Sequence, residues 1–313
     1  MLLSGLATSG DHIITITKTV TDHIDVTPHL WSFRLIGAMA ITFIVQGVTI
    51  GAYAARLAGV QTKRIATSIS LFNLFVTAGR TANLFAVFFI APLSDAAGKA
   101  TQQLQSDPVD LAVWQHVFEW QLRWIVFGGT FGMIAFAIFI PMFTYLFRRG
   151  VYSFEARGSV PHAFAQLFKP ANVIAVLRSQ HLPNWEQLRS FDWRLIPKRL
   201  LIFNVVVTGI YAIGVQAAFL ASVLDPTVAR TATSLSGVIN GIGTIAFTLF
   251  VDPTSSMITD QAIHGKRTVE EVRTMVFYLC LTAILGALLS QLVFVQSAVV
   301  IEYVARFANN FHF

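Results

Sequence analysis

Charge is scarce in this chain. Only 12% of its 313 residues are Asp, Glu, Lys or Arg, about half the share usual in a soluble domain, which argues against one. A single cysteine, Cys280, excludes an internal disulfide and a cysteine-based metal site; within an apolar stretch it reads as a small buried core residue. The eight histidines show no metal-ligand spacing. No P-loop, HExxH, nucleophile elbow or dinucleotide fingerprint is present, so the sequence offers no catalytic residues, no cofactor site and no metal site. The formal net charge of +6 does not point to nucleic acid, because the basic residues fall between apolar blocks rather than along one stripe. Ahead of residue 35 there is no basic stretch leading into an apolar core, so no cleaved signal peptide is expected.

What fills the chain instead is apolar: 55% hydrophobic residues and a mean hydropathy of +0.64. A bilayer core ~30 Å thick needs about 20 mainly apolar residues in a helix. Six stretches qualify: Leu35 to Ala55, Ile65 to Leu93, Trp124 to Phe147, Leu200 to Leu224, Thr231 to Val251, and Thr274 to Ile301. The expected fold is therefore an all-α polytopic membrane protein with six transmembrane helices.

Positive residues stay on the cytoplasmic side. The first connection carries Arg56, Lys63 and Arg64, the fifth Lys266, Arg267 and Arg273, and the third, between Arg148 and Arg199, the largest cluster of all. These odd-numbered connections hold most of the 22 Lys and Arg residues. Both termini are expected outside. Ser94 to Arg123 reads as an external loop carrying an interfacial helix, capped by Asp107 with Pro108 at its first position and bearing Trp114, Phe118 and Leu122 at four-residue spacing. In the basic cytoplasmic segment, Phe164, Leu167, Phe168, Val173, Ile174 and Leu177 are suited to rest on the inner leaflet, with Lys169 and Arg178 toward anionic lipid.

The chain also resembles itself. RIATSIS (Arg64 to Ser70) opens the second span and RTATSLS (Arg230 to Ser236) opens the fifth, with five of seven positions identical. Sliding the chain by 166 residues also lays span one on span four, pairing Thr42 with Thr208 and Ile44 with Ile210. Arg123 and Arg273 precede spans three and six, each with a Val-Phe pair a few residues on. Three spans per half is an odd number, so the second half enters the membrane from the opposite side. That is a 3+3 inverted repeat, the arrangement that alternating-access transporters use around a central site. The implied units are residues 35–147 and 200–301, separated by the basic segment 148–199 and flanked by external tails 1–34 and 302–313.

Few polar residues lie inside the spans. Arg80, in TAGRTANL of span two, is costly in hydrocarbon and must face a cavity, a partner or water. Its planar fork of donors fits a phosphate, or alternatively the backbone carbonyls of a broken helix. Asn73 and Asn83 flank it, and Asn240 lies in SGVINGIG of span five, where Ser236, Gly237, Gly241 and Gly243 permit close packing or local unwinding. Gln46, Asn204 and Gln216 are weaker candidates. Asp252 and Asp260 bracket DPTSSMITD; as a pair they suit a cation or a proton, and singly a helix cap and a surface charge.

Across Arg56 to Leu84 and Arg230 to Asp260 the chain resembles the Amj family of lipid II flippases, and less sharply over the six-span core from Leu35 to Ile301. The resemblance implies translocation of undecaprenyl-pyrophosphate-linked peptidoglycan precursor, lipid II, from the inner to the outer leaflet of a bacterial cytoplasmic membrane, with membrane lipids as surroundings. It carries no motif that assigns substrate residues, so Arg80, Asn73, Asn83 and Asn240 as headgroup ligands, and Asp252 and Asp260 as a cation or proton site, rest on the physical reading. Two other readings stay open: an intramembrane enzyme acting on an anionic polyprenyl lipid, and a secondary carrier for a small solute or ion.

Overall fold

In the computed structural model the described residues are 29–104, 108–157, 174, 178–180 and 185–310, with only the backbone described for Arg80, Arg157 and Trp185. Asp107, the inner-leaflet stretch around Phe164 to Leu177 apart from Ile174, and most of the N-terminal tail lie outside them. Eleven α-helices follow one another among the described residues: α1 Phe33–Ala52, α2 Ala54–Thr62, α3 Ile65–Gln103, α4 Pro108–Ile138, α5 Ile140–Arg157, α6 Trp185–Ser190, α7 Lys198–Leu224, α8 Ala229–Ala246, α9 Asp252–Ile263, α10 Val269–Ser290 and α11 Phe294–Asn310. Six helical runs are long and apolar enough to cross a membrane: Phe33–Thr62, Ile65–Gln103, Pro108–Ile138, Lys198–Leu224, Pro226–Ile263 and Val269–Asn310. Each overlaps one of the six stretches expected from hydropathy.

Local chemistry sets several boundaries. Ser32 accepts a hydrogen bond from the Leu35 amide at the start of α1. Thr268 and Glu271 form a reciprocal capping box at the start of α10. Lys63 closes α2 in the left-handed conformation at φ 57°, with its positive charge at the helix C-terminus, where the dipole favours it. Between α8 and α9, residues Phe247–Val251 form a π-helical turn. Pro253 follows directly; with no amide proton, it cannot bond back to Leu249, and a widened turn absorbs the break.

The segment between spans two and three departs from the sequence reading. Ser94 to Arg123 is not a loop with a separate interfacial helix: α3 runs on to Gln103, and α4, which begins at Pro108, is continuous with the third span. At ~1.5 Å per residue α3 is roughly 58 Å long, nearly twice the ~30 Å hydrocarbon thickness.

Spans one and four are the central helices of the packing. Span one (α1) packs against α3 and α4, and span four (α7) packs against α8 and α10. Glycines let the backbones touch. A Cβ on Gly132 of α4 would overlap the Phe43 carbonyl oxygen of α1, and a Cβ on Gly286 of α10 would overlap that of Val205 on α7. The halves meet where α7 packs on α3 and α4, and where α2 packs on α9 and α10.

Candidate functional site

Spans two and five are the least covered helices: the central window of α3 is 24% buried, and that of the run containing α8 is 11% buried, against 61% for span four. Membrane-spanning helices with so little cover face lipid or a cleft. On α3 Ser70, Asn73, Thr77 and Thr81 are exposed and Asn83 is half-buried, with Leu74 exposed among them, and beyond them the uncovered surface turns apolar at Leu84, Phe85 and Phe88. Helical register puts positions 73, 77, 80 and 84 on one face. Arg80 therefore occupies the edge of this run; its side chain is not among those described. On α8, Ser234 and Gly237 are exposed, and a Cβ added at Gly237 or Gly241 would meet nothing within 4 Å. Those two glycines do not serve close helix packing. Gly243, beside the Tyr211 ring, does, and the Asn240 Oδ1 lies 3.4 Å from where a Cβ on Gly214 of α7 would sit.

The two helices touch near both ends. The rings of Phe72 on α3 and Phe247 stack at 6.5 Å. At the far end α3 packs on the Pro226–Val228 turn, beside the end of span four, where Ser94 Oγ meets Ser222 Oγ at 3.1 Å. From Phe72 to Ser94 along α3, and from Phe247 back to Pro226, the rise is roughly 33 Å and 32 Å, so spans two and five run antiparallel and their contacts sit about one hydrocarbon thickness apart. Position 80 is then ~12 Å beyond Phe72 and Asn240 ~10 Å beyond Phe247, at matching depth. Asn73 lies beside the Phe72 contact. Asn83 is about one turn further along α3 than position 80.

Below the Phe72–Phe247 contact lies a charged cluster that the sequence did not reveal. Arg56, counted there among the flanking positives, is buried, with 2% of its side chain exposed, and pairs with Asp252 at 2.6 Å. Its Nη1 donates to Ser256 Oγ at 3.1 Å, its guanidinium lies 4.9 Å from the Phe72 ring centroid, and its buried Nε has no partner. Asp252 and Asp260 are not brought together. They are eight residues apart on α9, ~12 Å along its axis, and Asp260 is exposed beside His264 Nδ1 at 3.5 Å. Among the described residues no group of three or more His, Cys, Asp or Glu side chains is placed to hold a metal ion.

Two further polar links join the halves. Tyr53 Oη donates to Asn204 Oδ1 at 3.0 Å, and Asn204 Nδ2 donates to the Leu279 carbonyl and Thr282 Oγ1, each at 2.9 Å. This makes the weak candidate Asn204 a buried structural residue. Arg123 Nη1 donates to the Gln291 carbonyl at 2.7 Å while Gln291 Nε2 donates back to the Arg123 carbonyl at 3.2 Å. The only sequence signal for either was a polar residue in an apolar stretch.

The geometry can be set beside known proteins. The family described as "Amj: Alternate to MurJ" matches residues 41–305. A curated relative from Bacillus subtilis (strain 168), named "Lipid II flippase Amj", is 32% identical over 279 residues, covering 89% of this chain and 99% of the relative. No solved structure matches the chain significantly.

Proposed function

The chain belongs to the Amj family, and from that premise we propose that it moves lipid II across the bacterial cytoplasmic membrane, the headgroup passing between spans two and five while the isoprenoid tail remains in lipid. A flippase is a transporter, and its task is to lower the cost of taking a diphosphate and its sugars through hydrocarbon. The observation that carries the reading is the run of exposed polar residues on α3, one of the two poorly covered spans, which touches the other at Phe72–Phe247 and at the Pro226–Val228 turn, about one hydrocarbon thickness apart. Such a run offers hydroxyls and amides to a headgroup over roughly 17 Å of its path. A side that stays open to lipid lets a long tail follow.

Arg80 is the residue in this run suited to neutralise the diphosphate, with Asn73, Asn83 and Asn240 as neutral hydrogen-bond partners. The two halves, 35–147 and 200–301, form an inverted repeat that exchanges inward-open and outward-open states. Support comes from the related heptapeptides that open spans two and five and from the way Gly132 packs on span one as Gly286 packs on span four. Both termini face outward, and the basic segment 148–199 faces the cytoplasm.

The test is a lipid II flipping assay in proteoliposomes, normalised to folded protein. Arg80→Ala abolishes transport while folded protein remains in the membrane, and Arg80→Lys restores it partly, since lysine keeps the charge without the fork. Full transport by folded Arg80→Ala removes Arg80 from the mechanism.

A further inference from the structure

Arg56 is an expensive way to hold two helices together. A guanidinium taken out of water pays a desolvation penalty that a packed apolar side chain does not, so a buried Arg56, paired with an Asp252 that keeps 28% of its side chain exposed, calls for a reason beyond adhesion. The pair is also incompletely made. Guanidinium has five N–H donors in a fixed fork; here Nη2 serves one oxygen of Asp252, Nη1 serves a neutral serine, and Nε, buried, serves nothing. A carboxylate that engages the fork at one point leaves Nε and Nη1 without an anionic partner.

The surroundings link this arginine to the cleft. Arg56 lies against the Phe72 ring, and Phe72 stacks on Phe247 to close one end of the space between spans two and five. Asp252 and Ser256 both belong to α9, directly after the π-turn that contains Phe247. Any parting of α2 from α9 therefore separates Arg56 from Asp252 at the same end of the cleft where the aromatic contact sits. By the charge distribution this is the cytoplasmic end, where a lipid bound for the outer leaflet arrives.

We propose that Arg56 is the first diphosphate-binding residue of the transport path, and that Asp252 is an internal anion holding its place: the incoming diphosphate takes the guanidinium from Asp252, and the exchange releases the latch between α2 and α9. This rests on the flippase reading above. A diphosphate satisfies more of the fork than one carboxylate oxygen does, and it restores to the arginine the counter-charge that it loses when the halves part. Arrival of the ligand and opening of the inner end thus become one event, because a ligand can shift an equilibrium only by binding one state better than the other.

The experiment uses the full chain in nanodiscs with Cys280→Ala and Val60→Cys. Val60 is buried and lies one turn beyond Arg56 on the same face of α2, so its thiol reports opening to a charged maleimide. Labelling is slow without ligand, rises about tenfold with lipid II and does not rise with the uncharged polyprenol, because only the diphosphate displaces Asp252. Asp252→Asn labels fast without ligand and binds lipid II several-fold more tightly, its competitor having been removed. Arg56→Gln also labels fast and binds lipid II at least about tenfold more weakly. If that variant does not insert, Arg56→Lys carries the test, keeping the latch closed while weakening lipid II binding. Equal lipid II affinity in Asp252→Asn and Arg56→Gln, or an unaltered affinity in Arg56→Lys, reduces Arg56 to a strut and overturns the proposal. Failure of the unsubstituted chain to bind lipid II overturns the flippase reading and this inference with it.

Discussion

Asn204 is fully buried and uses its carbonyl oxygen and its amide group together, the first for Tyr53 of the other half and the second for Leu279 and Thr282 of span six. Removing one member of such a set leaves the others buried without partners, so Tyr53→Phe is expected to lower stability by about 1–3 kcal/mol through the orphaned Asn204 oxygen. Thermal unfolding in detergent reads this; an unchanged midpoint argues that water fills the place of the phenol. Outside the spans, burial by itself would raise the Asp225 carboxyl, but hydrogen bonds from Thr227 and the charge of Arg306 outweigh it and hold the group below the ordinary carboxylate range. A depressed carboxylate stabilises the fold above its unfolded value of about 3.9, and the contribution fades as pH falls below that toward the folded value. Asp225→Asn is therefore expected to cost about 1 kcal/mol or less at pH 7, Arg306 being more than half exposed, and to cost progressively less in acid. A cost that does not change with pH places the effect in packing instead. The sequence could not show that Arg56 differs from Lys63 or Arg64, its neighbours in one basic connection. What separates them is a carboxylate 196 residues away, and burial by a distant partner leaves no local trace.

Elements were more legible than residues. Six apolar stretches gave six spans because hydrocarbon admits few alternatives to a helix of about 20 apolar residues. The α3–α4 hairpin was not legible: Asp95, Lys99, Gln102 and Gln103 lower the hydropathy at the end of span two, but they do not oppose a helix, and the chain stays helical to Gln103. The glycine contacts invite a paired test. Gly132→Ala and Gly286→Ala each push a methyl into a backbone carbonyl of the neighbouring span, and each is expected to destabilise by about 1–3 kcal/mol. Gly98→Ala, on α3 with nothing within 4 Å of the added carbon, is expected to be neutral or to stabilise by up to ~1 kcal/mol. Equal effects at all three positions would mean that helix propensity, not interlocking of spans one with three and four with six, sets the outcome.

For the whole molecule, orientation and movement are the claims that matter. The proposed orientation puts Lys63 and Arg178 on the inner face and Lys99 on the outer. Cysteine substituted at 99 should label in intact cells without permeabilisation, and labelling only after permeabilisation reverses the orientation. The central claim is that the headgroup crosses between spans two and five as their ends part in turn. Phe72 and Phe247, stacked at 6.5 Å, close one of those ends. Cysteines at both positions, in a Cys280→Ala background and joined by a short reducible cross-linker, should stop lipid II flipping in proteoliposomes, and reduction should restore it. Flipping at full rate with the cross-link intact would contradict the account, because the headgroup would then cross without that contact opening.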